Sequence, residues 1–168
     1  LSRFSVDRRS DCAVTQLAFM QGPQGKPSLL PVLNPAGWEF NLTHSDNWAL
    51  VALDVTPIGI DTENLQRRSD IVNIARHNFH PLEIDFLSSK SDQPQWGFYF
   101  WMLKEAYIKF LGSGLSQSLK EFYFDWGESL VFGAEKPMPI PLAAVLQWQS
   151  DGVAAVCCKP GPIKFCLF

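Results

Sequence analysis

The chain has 168 residues, of which 46% are hydrophobic and 18% are charged, and its formal net charge at pH 7 is −3. This length supports one well-packed domain or two small fused halves. The acidic balance disfavours a general nucleic-acid binder, which normally carries a basic stripe, and no apolar run approaches the roughly 20 residues that cross a bilayer. We therefore expect no nucleic acid and no membrane as a partner.

The four cysteines do not form a zinc-type pattern. There is no Cys-x-x-Cys pair, and Cys157 and Cys158 are neighbours in an apolar, strand-like run. Neighbours on a strand point to opposite faces. We expect a reduced, cytoplasmic protein without a zinc site.

The first third of the chain is predicted to form short strands. A strand over Thr15 to Met20 precedes a turn-rich segment that contains Gly25-Lys26-Pro27. Prolines make Leu29 to Trp38 an irregular connection. The segment Phe40 to Ser45 then leads into an apolar strand from Trp48 to Leu53.

A turn at Pro57 separates that strand from the next predicted strand, Ile58 to Glu63. We expect Ile58 to Glu63 to form a hairpin with Trp48 to Leu53. Since side chains alternate along a strand, Asp61 and Glu63 would project from the same face.

Three helices are predicted in the middle of the chain. Asp70 to Asn78 has Ser69 as its expected N-cap. Pro81 to Leu87 begins with proline, whose missing N–H costs nothing in the first turn. The strongest pattern is Trp96 to Leu111, where aromatic residues cover most faces and predict a buried helix that ends at Gly112.

The last part of the chain is rich in strand patterns. Four segments, Phe122 to Trp126, Leu130 to Phe132, Ala143 to Gln149 and Val153 to Cys158, predict a β-meander. Together with the helices, they indicate the α+β class, with helices packed on an antiparallel sheet.

Acidic and basic side chains occur together on two of these elements. Asp61 and Glu63 share a strand face, and Glu105 and Lys109 lie one helical turn apart. Brought together, they could bind a divalent cation and a phosphate, and their hard oxygen ligands suit Mg²⁺. Taken alone, Asp61 and Glu63 are better explained as ordinary exposed acids at a strand end. Glu105 and Lys109 alone are better explained as a surface ion pair worth about 0.2–0.5 kcal/mol.

The order and spacing of several motifs resemble those of the 4′-phosphopantetheinyl transferases, specifically the surfactin-synthetase-activating type. The matching blocks are Gly25-Lys26-Pro27, Phe40-Asn41-Leu42-Thr43-His44-Ser45, Ile58-Gly59-Ile60-Asp61-Thr62-Glu63, Phe79 with Glu83, and Trp101-x-x-Lys104-Glu105-Ala106-x-x-Lys109-x-x-Gly112-x-Gly114-Leu115. The resemblance implies the 4′-phosphopantetheinyl transferase-like fold of two pseudo-twofold halves. Residues 1–57 would be an incomplete, truncated N-terminal half with coenzyme A phosphate contacts, and 58–168 the C-terminal half with the metal site.

The same resemblance implies a reaction and a set of roles. The 4′-phosphopantetheine arm of coenzyme A would pass to a serine of an apo acyl or peptidyl carrier protein, with Mg²⁺ as cofactor. The implied metal ligands are Asp61, Glu63 and Glu105. The implied coenzyme A contacts are Lys26, Thr43, His44, Ser45, Lys104 and Lys109. The implied catalytic residues are Lys109 and a general base, which would be Glu105 or Glu83.

Two alternatives remain open at this stage. One is a catalytically impaired homologue that only binds coenzyme A or a carrier protein, which the short first half suggests. The other is an Mg²⁺-dependent phosphohydrolase on an unrelated fold, which would use the same acids but gives no role to the upstream motifs.

Overall fold

The computed structural model describes residues 17–22, 24–46, 48–67, 69–148 and 152–161. Within these ranges the helices are α1 (Ile71–Asn78), α2 (Pro81–Ser88) and α3 (Gln93–Leu111). The strands are β1 (Phe19–Gln21), β2 (Pro27–Leu29), β3 (Glu39–Ser45), β4 (Trp48–Asp54), β5 (Ile58–Thr62), β6 (Phe122–Trp126), β7 (Leu130–Ala134), β8 (Leu142–Trp148) and β9 (Gly152–Cys158). None of the helices in these ranges has the length and apolar character needed to span a membrane.

The described strands form antiparallel sheets. The central sheet has three strands in the order β5-β9-β8, and three separate hairpins pair β1 with β2, β3 with β4, and β6 with β7. The α+β class with antiparallel strands is therefore confirmed. Of the predicted strand over Thr15 to Met20, the structure describes β1, while Thr15 itself lies outside the described residues.

The predicted hairpin between Trp48–Leu53 and Ile58–Glu63 is wrong. β4 pairs with β3 across a tight turn in which Asp46 has a φ of 45°, a backbone conformation that Asp tolerates well. β5 pairs instead with β9. Both strands are buried along their whole length, so β5 needs an equally apolar partner, and β4, with its exposed face, does not offer one.

The predicted C-terminal meander is wrong in its connectivity. β6 and β7 form their own hairpin, whereas β8 and β9 join β5 in the central sheet. The chain between the two sheets carries Pro137, Pro139 and Pro141. Because proline has no backbone N–H to donate, this segment cannot continue the β-ladder.

The three predicted helices are present: α2 begins at the predicted Pro81 and ends one residue later than predicted, whereas α1 and α3 differ at their first residues. The N-cap of α1 is Asp70, whose side chain accepts a backbone N–H of the first turn, and not the predicted Ser69. α3 begins at Gln93 because Asp92 caps it, three residues before the predicted start. It ends at Gly112, which has a left-handed φ of 68°, as predicted. Most of α3 is buried, as its aromatic pattern indicated.

The hydrophobic core lies on both faces of the central sheet. α3 packs against one face together with Cys157, and a smaller cluster beneath the β3–β4 hairpin includes Cys158 on the other. The two cysteines therefore point to opposite faces, as predicted. At Gly59 of β5 an added Cβ would lie 1.9 Å from the carbonyl oxygen of Ala106. The backbones of β5 and α3 are nearly in contact there, which places β5 beside the second half of α3.

Candidate active site

An open pocket of about 600 Å³ lies between the β3–β4 turn and the end of β5. It brings together six of the predicted site residues. They are Thr43, His44, Ser45, Asp61, Glu63 and Lys109. We call this cavity the acidic pocket.

Asp61 is the best-anchored side chain of the acidic pocket. It is buried, and its Oδ1 accepts hydrogen bonds from Lys109 Nζ at 2.6 Å and from Thr43 Oγ1 at 3.1 Å. Lys109 also donates to the carbonyl oxygen of Ile60 at 3.2 Å. These contacts fix one carboxylate oxygen and one ammonium group side by side.

The second oxygen of Asp61 has a different environment. Among the residues that the structure describes, no group forms a hydrogen bond with the buried Oδ2. Burial raises the pKa of Asp61 above its usual value, and Lys109, Thr43 and the backbone N–H of Thr62 oppose that shift. A buried carboxylate oxygen without a partner costs free energy, so Oδ2 is a natural position for a cation.

Glu63 follows the last residue of β5 and is only partly buried. Its Oε1 accepts the indole N–H of Trp101 at 3.1 Å, and its Oε2 lies 3.7 Å from a guanidinium nitrogen of Arg67. Burial raises the pKa of Glu63, and the negative charge of Asp61 raises it further.

Glu105 lies on α3, one turn before Lys109, and lines a second pocket of about 330 Å³ together with Trp101 and Gln117–Lys120. Burial is the largest cause that raises the pKa of Glu105. The charges of Asp61 and Glu63 raise it as well. Glu105 is therefore within electrostatic range of the acidic pocket although it does not line that cavity.

The donor chemistry of this region fits a divalent cation, although the side chains are not closed around one. In the described part of the chain, no three His, Cys, Asp or Glu side chains are grouped as a ready-made metal site. The charge of Asp61 raises the pKa of Glu63, and both of these carboxylates raise the pKa of Glu105. Within the described ranges, Asp61 Oδ2 also has no hydrogen-bond partner. A hard cation such as Mg²⁺ would relieve both conditions. Asp61, Glu63 and Glu105 are the residues that could hold it.

Lys104 and Glu83 lie outside the acidic pocket. The fully buried Lys104 Nζ is 2.8 Å from Glu83 Oε2 and donates to the carbonyl oxygens of Leu119 at 2.7 Å and Phe122 at 2.8 Å. Its three N–H groups therefore have three partners inside the protein. In this arrangement no donor of Lys104 remains for a coenzyme A phosphate.

Glu83 is equally enclosed. Its two oxygens accept the backbone N–H groups of Phe124 at 3.0 Å and His80 at 3.1 Å, in addition to the Lys104 contact. The second bond belongs to a capping box at the start of α2. This geometry ties α2 to α3 and β6 and occupies both Glu83 oxygens with donors from the protein itself.

Lys26 is not brought to the acidic pocket either. Its Nζ donates to the carbonyl oxygen of Ile58 at 3.2 Å and lies 3.9 Å from Glu39 Oε2. Burial lowers the pKa of Lys26, and Glu39 opposes that shift. To meet a phosphate beside Asp61, this side chain would have to leave both partners.

Two supporting residues were missed by the sequence analysis. Asn41 Oδ1 accepts the backbone N–H of Ile60 at 3.0 Å and so joins β3 to β5, which are not paired as strands. The sequence signal for this role was that Asn41 is a polar residue inside the block Phe40 to Ser45. From sequence, Trp101 belongs to the motif Trp101-x-x-Lys104-Glu105 and to the aromatic face of a buried helix, but sequence does not show where its indole N–H points.

Comparison with known proteins places this geometry in a family. The family model of the 4′-phosphopantetheinyl transferase superfamily matches residues 57–158. The 4′-phosphopantetheinyl transferase Sfp of Bacillus subtilis is 34% identical over 124 residues, which cover 73% of this chain and 53% of Sfp. A putative 4′-phosphopantetheinyl transferase of Synechocystis sp. is 33% identical over 122 residues, which cover 71% of this chain and 49% of that protein. HetI, a 4′-phosphopantetheinyl transferase of Nostoc sp., is 39% identical over 105 residues, which cover 61% of this chain and 44% of HetI.

A solved structure supports the fold independently. The holo-[acyl-carrier-protein] synthase of Thermotoga maritima superposes with a TM-score of 0.52 at 19% identity, over 62% of this chain and 64% of that one. The chain spans about half the length of the curated relatives it matches. Since the family model covers more than half of this chain, the chain belongs to the 4′-phosphopantetheinyl transferase superfamily.

Proposed function

We propose that the protein transfers the 4′-phosphopantetheine arm of coenzyme A to a serine hydroxyl of an apo acyl or peptidyl carrier protein, with Mg²⁺ as cofactor. The observation that carries the proposal is the Asp61–Lys109 pair in the acidic pocket. Asp61 combines a fixed oxygen with a buried one that no other described residue hydrogen-bonds, and Lys109 adds a compact positive charge. A cation and a phosphate can bind side by side at such a pair.

In the proposed reaction the serine oxygen forms a bond to the β-phosphorus of the coenzyme A pyrophosphate. The bond from that phosphorus to the bridging oxygen breaks, and adenosine 3′,5′-bisphosphate leaves with the electron pair. Bound Mg²⁺ would neutralise charge on the pyrophosphate. Lys109 would place its ammonium at the same phosphate oxygens.

The proton of the serine hydroxyl needs an acceptor. We assign this role to Glu105, which is only partly buried and lies one helical turn before Lys109 on α3. It also lines a pocket separate from the acidic pocket, from which a second substrate could approach. Glu83 is the weaker candidate, because its carboxylate is held by Lys104 and by two backbone N–H groups.

The remaining wall of the acidic pocket would bind the adenosine end of coenzyme A. Thr43, His44 and Ser45 line this wall and would contact phosphate oxygens there. Lys104 would act through the Glu83 pair instead of contacting the ligand. We also place the reaction in the cytoplasm, a reducing compartment that agrees with the free, buried Cys157 and Cys158.

Intact mass spectrometry tests the proposal. The protein is incubated with coenzyme A, Mg²⁺ and a panel of apo carrier proteins, and each carrier is weighed. We expect one carrier to gain the mass of one phosphopantetheine arm, and the gain to disappear when a chelator is present.

Two other outcomes point to the alternatives. Coenzyme A binding measured by calorimetry, without any mass gain while a known transferase works in parallel, would favour a binding-only homologue. Cleavage of the pyrophosphate in the absence of a carrier would favour a phosphohydrolase.

A further inference from the structure

Trp101 connects α3 to the acidic pocket through a single hydrogen bond. Its Nε1 donates to Oε1 of Glu63 at 3.1 Å, although the two residues are 38 positions apart. An indole ring has one hydrogen-bond donor, its Nε1–H, and no acceptor. The orientation of the ring therefore decides where the Glu63 carboxylate is held.

The indole is itself fixed by the core. Its ring stacks on Phe79, with centroids 6.4 Å apart and an interplanar angle of 23°. Phe79 is only 1% exposed, and α3 is packed along most of its length. Glu63, in contrast, lies just beyond Thr62, the last residue of β5. A rigid donor thus holds a carboxylate that follows the end of a strand.

Arg67 competes with Trp101 for the Glu63 carboxylate, so the hydrogen bond from Trp101 affects where that carboxylate lies. The other oxygen, Oε2, lies 3.7 Å from Arg67, whose side chain is 66% exposed. Exposed ion pairs of this kind contribute little and allow several geometries. Without the indole N–H, Glu63 would be free to follow Arg67 toward solvent and away from Asp61.

We propose that Trp101 is a positioning residue that holds Glu63 where it can bind a divalent cation together with Asp61. The inference rests on the proposed function, because it needs a cation site in the acidic pocket. It adds a role for a tryptophan that also lines the second pocket beside Glu105.

The test measures binding of Mn²⁺, a paramagnetic substitute for Mg²⁺, by electron paramagnetic resonance with no substrate present. Trp101→Phe keeps a ring that can stack on Phe79 but removes the donor. Loss of such an outer partner typically weakens metal binding about 10–100-fold, and we expect about tenfold here. Trp96→Phe is the matched control, since Trp96 is on the same helix and packs on Trp126 and Phe86.

A double-mutant cycle separates positioning from a general structural effect. In a Glu63→Ala background, Trp101→Phe should leave Mn²⁺ affinity unchanged, and the melting temperature of the single variant should stay close to that of the wild type. Equal Mn²⁺ affinity in wild type and Trp101→Phe would overturn the inference alone. A similar loss with and without Glu63 would also overturn it. If the wild-type protein did not bind Mn²⁺ at all, the inference and the proposed metal site would both fail.

Discussion

Gly59→Ala is the substitution that challenges the architecture of the site most directly. An added Cβ would lie 1.9 Å from the carbonyl oxygen of Ala106 and 2.4 Å from the backbone nitrogen of Phe110. Ordinary contacts begin at 3.4 Å, so α3 would have to move about 1.5 Å away from β5. Both opposing atoms belong to helix backbone and cannot rotate aside.

The displacement has a cost in stability. Overpacking a well-packed core typically costs about 1–3 kcal/mol, and we expect about 3 kcal/mol because backbone meets backbone. For a protein of this size, that corresponds to a melting temperature lower by roughly 6–12 °C. The same movement would lengthen the 2.6 Å contact between Lys109 and Asp61 beyond hydrogen-bond range.

Thermal unfolding and Mn²⁺ titration of the same samples measure both effects. Gly127→Ala is the matched control, since its added Cβ would have no neighbour within 4 Å. Gly97→Ala should be intermediate, because its Cβ would meet only side-chain atoms of Ile71, at 3.2 and 3.3 Å. A Gly59→Ala protein that melts within about 2 °C of wild type and binds Mn²⁺ equally well would refute the close approach of α3 and β5.

Two further predictions concern the charged groups. Lys104→Met should lower the free energy of unfolding by about 3–5 kcal/mol, because Glu83 would keep a buried charge without its cation. Adding Glu83→Gln should recover part of that loss in chemical denaturation, and a further loss instead would contradict a structural pair. The pKa values of Asp61, Glu63 and Glu105 are raised above 3.8 and 4.5 in the folded protein, so the folded state holds their protons more tightly. Without bound metal, the contribution of these three carboxyl groups to the free energy of unfolding should thus be fully present below about pH 4. It should be lost as the pH rises through their raised pKa values. As the pH rises, Glu105→Gln should become more stable relative to wild type, because glutamine acquires no buried charge. A relative loss of stability would contradict the raised pKa of Glu105.

The sequence was sufficient to predict those parts of the site that depend on residues close together in the chain. Asp61 could be placed near the end of a strand and Lys109 on a helix from spacing alone, and the structure joins them at 2.6 Å. The capping and proline rules likewise located α2 at Pro81. These features depend on residues that are close in the chain.

The parts that sequence could not give depend on distant partners. The strand that pairs with β5 is β9, which places Ile60 opposite Val156, and no local pattern encodes that choice. The burial of Lys104 depends on carbonyl groups of Leu119 and Phe122. In the sequence, a buried lysine and a phosphate-binding lysine look the same, so the residues themselves do not qualify the coenzyme A role that the resemblance implies for Lys104.

The measurement that tests the central claim most directly is the mass of an apo carrier protein after incubation with coenzyme A, Mg²⁺ and either wild-type protein or Asp61→Asn. Asp85→Asn, which changes an exposed acid of α2, controls for the loss of one negative charge. The account predicts a gain of one phosphopantetheine arm with wild type and Asp85→Asn and none with Asp61→Asn. An equal gain with Asp61→Asn, or no gain with any of the three while a known transferase modifies the same carrier, would contradict it.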